Sequence, residues 1–326
     1  MTVTTMADCY LYRLPNELLI HLLTPMTTPE LLPLAPLSRR IYTVVIRILH
    51  NRLVIASELE SHSVLLECFH PSAKLTEPPY FCSSHGIDGL ARYDELSESE
   101  KHSPSRLGDM RNMYSRFRPH RRELDDGGRR VRRPGDIPGS RTHPGIMQYG
   151  YEGDTVKQIL SLDGHELFTQ LVAQSHLVKT GPRHELFTYP VEIEEGVIRV
   201  WREWLRDMAT KSQSKEIKEE KVELAGPGKG KAPTTEASQA DDVGDSRVLW
   251  VSPNKNTGIR FNVRERKLKR EIPILVRADE EDLPVSYEIE YDELLLRTSH
   301  LHLVLEKSLV LDDNTSGKAV VFGSFG

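Results

Sequence analysis

Between residues 10 and 52 the apolar positions recur at three- and four-residue intervals. Leu14, Leu18, Leu19, Leu22 and Leu23 fall on one face of a helix. Pro15 suits its first turn, where an amide has no intrahelical partner, and Pro25 stops it. Thr28, Pro29 and Glu30 read as a cap, a first-turn proline and an acid near the positive helix end, so a second short helix begins there. The pattern predicts a third helix over about 38–52, with Ile41, Val44, Val45, Ile48 and Leu49 as its stripe. After residue 53 the period changes. Val64, Leu65, Leu66, Cys68 and Phe69 form a short apolar run closed by Pro71, which predicts a buried strand at the start of a β domain spanning 53–91.

Apolar residues then thin out over 92–147. Residues 101–145 hold twelve lysines and arginines against five acids, with many prolines and glycines, which predicts a long basic flexible insertion. The β domain resumes over 148–210. There Val197, Val200, Trp201, Trp204, Leu205 and Met208 share one face of an amphipathic helix predicted over 194–209, with Trp201 and Trp204 set against the sheet. Residues 211–246, rich in lysine and glutamate and then in glycine, proline and serine, read as a disordered linker. From 247 to 326 short runs alternate with turn chemistry. Strands are predicted over 248–251, 258–263, 272–277, 285–291, 301–305 and 319–325, at a spacing that suggests a sandwich.

Apolar residues make up 38% of 326 and the net charge is −5, so any pull toward nucleic acid has to be local. Three widely spaced cysteines, Cys9, Cys68 and Cys82, argue against a disulfide framework and fit a reducing compartment, with Cys68 a buried thiol. Residues 1–8 carry no positive charge and no long apolar run, so no secretory signal is expected, and no stretch reaches the ~20 apolar residues of a membrane span.

Catalytic constellations are weak. The word HELFT occurs at 165–169 and 184–188, but no second histidine follows four residues after His165 or His184, which excludes the zinc-protease helix motif. His300 and His302 would share a strand face without a third ligand, so a solvated face is expected there. Residues 226–231 have the wrong glycine spacing for a phosphate loop. Arg116, Arg118, Arg121, Arg122, Arg129, Arg130, Arg132 and Arg133 offer a nuclear-import or phosphate-contact patch, yet without interleaved aromatics a solvated loop is the expectation. No cofactor, metal or catalytic side chain is expected.

The stretch 14–45 reads LPNELLIHLLTPMTTPELLPLAPLSRRIYTVV. It resembles the F-box pattern without a gap: Leu14, Pro15, Glu17, Leu18, Leu19, Leu22 and Leu23, then Glu30, Leu31 and Leu32, then Leu34, Ala35, Ser38, Arg39 and Tyr42. Departures are Pro25 in the first connection, Pro33 and Pro36 within the second helix, and a missing tryptophan after the third. The resemblance implies binding to Skp, the small linker that joins F-box proteins to a cullin scaffold, through Leu14, Pro15, Glu17, Leu18, Leu22, Leu31 and Leu34. The order of the remaining elements resembles fungal F-box proteins whose C-terminal part is similar to the phloem-lectin sandwich.

The expected fold class is therefore α+β: a three-helix F-box over 10–52, then a β-sandwich-like domain with an amphipathic helix and long disordered insertions. The expected function is that of a non-enzymatic adaptor, cytoplasmic or nuclear, holding a protein target near a ubiquitin-conjugating enzyme and touching neither membrane nor nucleic acid. The alternative is a lectin-like or small-ligand-binding module with structural N-terminal helices.

Overall fold

A computed structural model describes residues 10–59, 61–73, 79–88, 106–120, 155–180, 187–223, 245–266, 284–314 and 319–320. Three N-terminal helices come first: α1 (Asn16–Leu23), α2 (Thr28–Leu31), continued by a 3-10 stretch over Leu32–Leu37, and α3 (Arg39–Glu58). The second helix is capped by Thr27, one residue before the expected cap, and Glu30 accepts the Thr27 amide at 2.8 Å. Pro33 and Pro36 convert its continuation to 3-10 geometry, because each removes a donor that an α-helix needs. Ser38 caps α3, its hydroxyl oxygen accepting the Ile41 amide at 3.2 Å. That helix runs six residues past the predicted end and stops where Leu59 adopts a left-handed conformation at φ 47°.

The β part is one ten-stranded antiparallel sheet that curls until it is nearly closed, rather than the two sheets of a sandwich. Its strands are β1 (His62–Phe69), β2 (Tyr80–Asp88), β3 (Tyr114–His120), β4 (Lys157–Leu162), β5 (Phe168–Thr180), β6 (Phe187–Trp201), β7 (Val248–Trp250), β8 (Thr257–Glu265), β9 (Val285–Arg297) and β10 (Ala319–Val320). The order is β10-β6-β5-β1-β2-β3-β9-β8-β7, with β4 paired to the first half of β9 while β3 pairs its second half. The two edges approach where Gly196 of β6 meets Val251, just past β7. A Cβ at Gly196 would lie 2.7 Å from Val251 Cγ1 and 2.8 Å from its carbonyl oxygen, so this close approach requires glycine. The second glycine with a structural duty is Gly86 (φ 110°), at the bulge where the β2–β3 register shifts.

Three expectations are corrected here. The basic insertion contains an ordered piece: a short helix, α4 (Arg106–Arg111), leads into β3, which lies between β2 and β9 in the sheet. Ser115, Phe117 and Pro119 are buried while Arg116 and Arg118 point outward, so a strand period was present beneath an arginine-rich composition. The helix predicted over 194–209 begins only after Trp201: α5 runs Arg202–Glu223 and so occupies part of the predicted linker. Residues 194–201 belong to β6, where Val197, Ile198 and Val200 pair along β5. The strand predicted over 301–305 is helical, within α6 (Thr298–Asn314). The predicted strand at 272–277, the arginines from Arg121 to Arg133, residues 226–231 and 321–325 lie outside the described residues.

Two principal apolar clusters result. The large one fills the barrel and includes Leu66, Phe117, Leu171, Ile259, Phe261, Tyr291 and Leu294, with Leu205 and Met208 of α5 packed in. The other belongs to the helices: Leu19, Leu23, Leu31, Ala35, Val44, Val45, Ile48, Leu49 and Leu53, completed by Met110 and Met113 from the insertion.

Candidate partner-docking surface

The leucines of α1 outnumber the places its buried face offers. Leu19 and Leu23 enter the helical cluster at 4% and 8% exposure. Leu18 and Leu22, one step around the helix, remain 51% and 55% exposed, and at four-residue spacing they sit side by side. Leu11, Leu32 and Leu37 are exposed as well. Single exposed leucines are ordinary; five within residues 11–37 give this end of the chain the apolar character of an interaction surface.

The seven residues that the F-box resemblance picks out divide into three groups. Pro15, Glu17, Leu18 and Leu22 are exposed, and the Pro15 carbonyl accepts the Leu19 amide at 3.2 Å. Leu14 and Leu34 are half-buried against the helical cluster. Leu31 is fully buried inside it and is withdrawn from any contact with another chain. Arg40 braces the entry to α1, its Nε donating to Asn16 Oδ1 at 2.8 Å and its guanidinium to the Leu14 carbonyl. Beside it Asn16, Ala35, Pro36, Arg39 and Tyr42 line a shallow groove.

Behind this surface a polar cluster ties the helices to the barrel. Glu306 of α6 accepts the Thr28 amide at 3.2 Å and the Thr28 hydroxyl at 2.9 Å. Arg52 of α3 pairs with the same carboxylate at 3.2 Å, donates to Thr28 Oγ1 at 3.0 Å, and reaches the carbonyls of Thr24 and Met26. His302 Nε2 lies 2.9 Å from Thr28 Oγ1 and 3.2 Å from Glu306. Burial, helped by Arg52 and opposed by Glu306, holds the His302 imidazole below its usual range. No sequence pattern announced this cluster, because Arg52 and Glu306 are 254 residues apart in the chain.

The remaining candidates for chemistry fall to structural roles. His300 sits on α6, with Nε2 3.0 Å from the Ile193 carbonyl oxygen, and does not share a strand face with His302. Arg116, from the basic run, pairs with Asp88 at 3.0 Å. Cys68 and Cys82 are free and buried; burial pushes the Cys68 thiol up to about 12 and raises Cys82 as well, so neither is a ready nucleophile. The copies of HELFT open the paired strands β5 and β6, with Phe168 opposite Trp201 and Thr188 opposite Lys179, so they mark the two ends of one hairpin. Among the described residues no group of three histidines, cysteines or acids is placed to hold a metal, and no helix is long and apolar enough to cross a membrane.

The chain matches no family model, no curated protein and no solved structure. Its class therefore rests on its own architecture: an α+β chain whose nearly closed antiparallel sheet carries a helical unit at one end.

Proposed function

We propose that the chain is an adaptor. Its N-terminal helices act as an F-box and bind Skp, and the β barrel presents a surface to a protein target. The observation that carries the reading is the pair Leu18 and Leu22, exposed side by side on a helix whose own core is already filled by Leu19 and Leu23. The ordered pattern over 14–45 supports it, and the barrel-bound network at Arg52 and Glu306 supplies a rigid base. The mechanism is proximity: holding the target beside the conjugating machinery raises the effective concentration of its lysines. No side chain of this chain takes part in bond making.

The test is a titration of purified full-length chain with Skp. Replacing Leu18 and Leu22 together with aspartate puts charge where two apolar anchors would be desolvated. Well-buried anchors contribute about 2 kcal/mol or more each, so affinity should fall by well over tenfold. Both positions are exposed, so the circular dichroism spectrum and melting curve should not change. A wild-type chain that shows no Skp binding at micromolar concentrations overturns the adaptor reading.

A further inference from the structure

The outward face of the β5–β6 hairpin carries a ladder of cross-strand pairs that the barrel does not use. Three consecutive rungs are Phe168 with Trp201, Gln170 with Arg199, and Val172 with Val197. In the first rung the rings lie 5.2 Å apart at 54°, yet both remain open to solvent, as do Val197 and the neighbouring Leu167. In the middle rung the Arg199 guanidinium lies over the Phe168 ring at 5.6 Å. Among the described residues it has no carboxylate partner, and the Gln170 side chain makes no hydrogen bond. The fourth rung closes the strip: Gln174 Nε2 donates to Glu195 Oε1 at 2.6 Å, so that pair is satisfied within itself. The result is an exposed strip that is aromatic at one end, aliphatic at the other, and cationic with a free amide between.

We propose that this strip docks an extended peptide segment of the form apolar–x–acid–x–apolar. Alternate side chains of an extended segment repeat every ~6.8 Å, which is the repeat of the rungs, so three such side chains span the same ~13 Å as the strip. The central carboxylate meets Arg199 and Gln170 in charge-assisted hydrogen bonds, and the planar guanidinium fork matches a carboxylate. The flanking apolar side chains cover Phe168 with Trp201 and Val172 with Val197, removing from water the surface the barrel leaves exposed. An exposed Trp–Arg pair is the kind of anchor that dominates peptide recognition. The inference rests on the adaptor reading for its meaning, as the place where a target is held. Peptide binding is measured on the chain alone, so it can fail while Skp binding stands, and the reverse.

The probe is a fluorescein-labelled peptide with Phe-Ser-Glu-Ser-Leu at its centre, titrated with full-length chain and read by anisotropy, beside a control with lysine replacing the glutamate. The glutamate peptide should bind at least about tenfold more tightly than the control. Arg199→Glu should reverse that preference, Arg199→Gln should abolish it, and Trp201→Ala should weaken the glutamate peptide by about tenfold or more. Circular dichroism on each variant confirms that the barrel is intact. Equal affinity for the two peptides, binding that survives these substitutions, or no saturation below about 1 mM overturns the proposal. Displacement of the peptide by a chito-oligosaccharide, with no preference between the peptides, overturns it in favour of sugar binding.

Discussion

Two positions show how one side chain's neighbours decide its worth. Trp201 and Trp204 are three residues apart, which places them on one face of a helix, and the apolar pattern pairs them as core residues. The strand ends between them. Trp204 is half-buried on α5, donates its indole N–H to the Ser246 carbonyl at 2.9 Å and meets Phe261 edge-on, whereas Trp201 stays 49% exposed on β6. Gly196 is the more demanding position. Its missing side chain is what lets β6 approach Val251, and any Cβ there would meet backbone as well as side chain. Gly196→Val should therefore cost about 1–3 kcal/mol through overpacking. Urea denaturation of the purified variant measures it; an unchanged midpoint would mean that the two edges separate without cost.

At the level of elements, α2, α3 and α6 are joined through one carboxylate and one imidazole. The sign of the pH effect follows from His302. Its folded pKa lies below its unfolded one, so the unfolded chain takes up the proton first. The contribution of this group is complete above the ordinary histidine value of about 6.5 and is lost as pH falls through the lower folded value. The melting temperature should drop as pH falls below about 6.5, and His302→Gln should flatten that part of the profile. Arg52→Ala leaves Glu306 partly buried with a lost ion pair and should destabilise by about 2 kcal/mol, discounted from the fully buried case because both side chains keep some solvent contact. Thermal melts at several pH values, with the two variants beside the wild type, check both statements.

On the scale of the molecule, the helical unit is not self-contained. Two short helices and one of twenty residues cannot enclose their own apolar surface, and here the cover comes from inside the chain: Met110 and Met113 close the cluster, and α6 packs along α3. An isolated fragment of residues 1–59 lacks all of these. It should show weak helicity and a shallow, non-cooperative melt by circular dichroism, while the full chain melts cooperatively. A cooperative melt of the fragment would show that the helices fold without the barrel. This dependence also bears on docking, since the cover leaves Leu18 and Leu22 as the apolar surplus while withdrawing Leu31.

Much was legible from local pattern. The N-terminal helices, the strand at 62–69, and the strand at 285–291 with buried Tyr287, Ile289 and Tyr291 follow from apolar periods of 3.6 and 2, because each buries one face against whatever lies beneath. The division of the α1 leucines was not legible: the pattern set Leu18, Leu19, Leu22 and Leu23 on one face, whereas the structure buries Leu19 and Leu23 and leaves Leu18 and Leu22 exposed. The tertiary structure alone decided the rest. Ile198 to Trp201 became strand rather than helix because a thirteen-residue neighbour, β5, pairs with β6 through to Trp201, and that pairing overrode a helical apolar spacing. Residues 301–305 went the other way: the segment that alternates like a strand was taken up by a helix that packs on α3 and β6, where His300 and His302 found polar partners. β3 was hidden because its arginines face outward and its inward face is legible only beside β2 and β9. The cluster of Thr28, Arg52, His302 and Glu306, and the strip of Phe168, Arg199 and Trp201, are products of pairing between distant or antiparallel segments. No periodicity within one segment encodes which residues a second segment will bring alongside it.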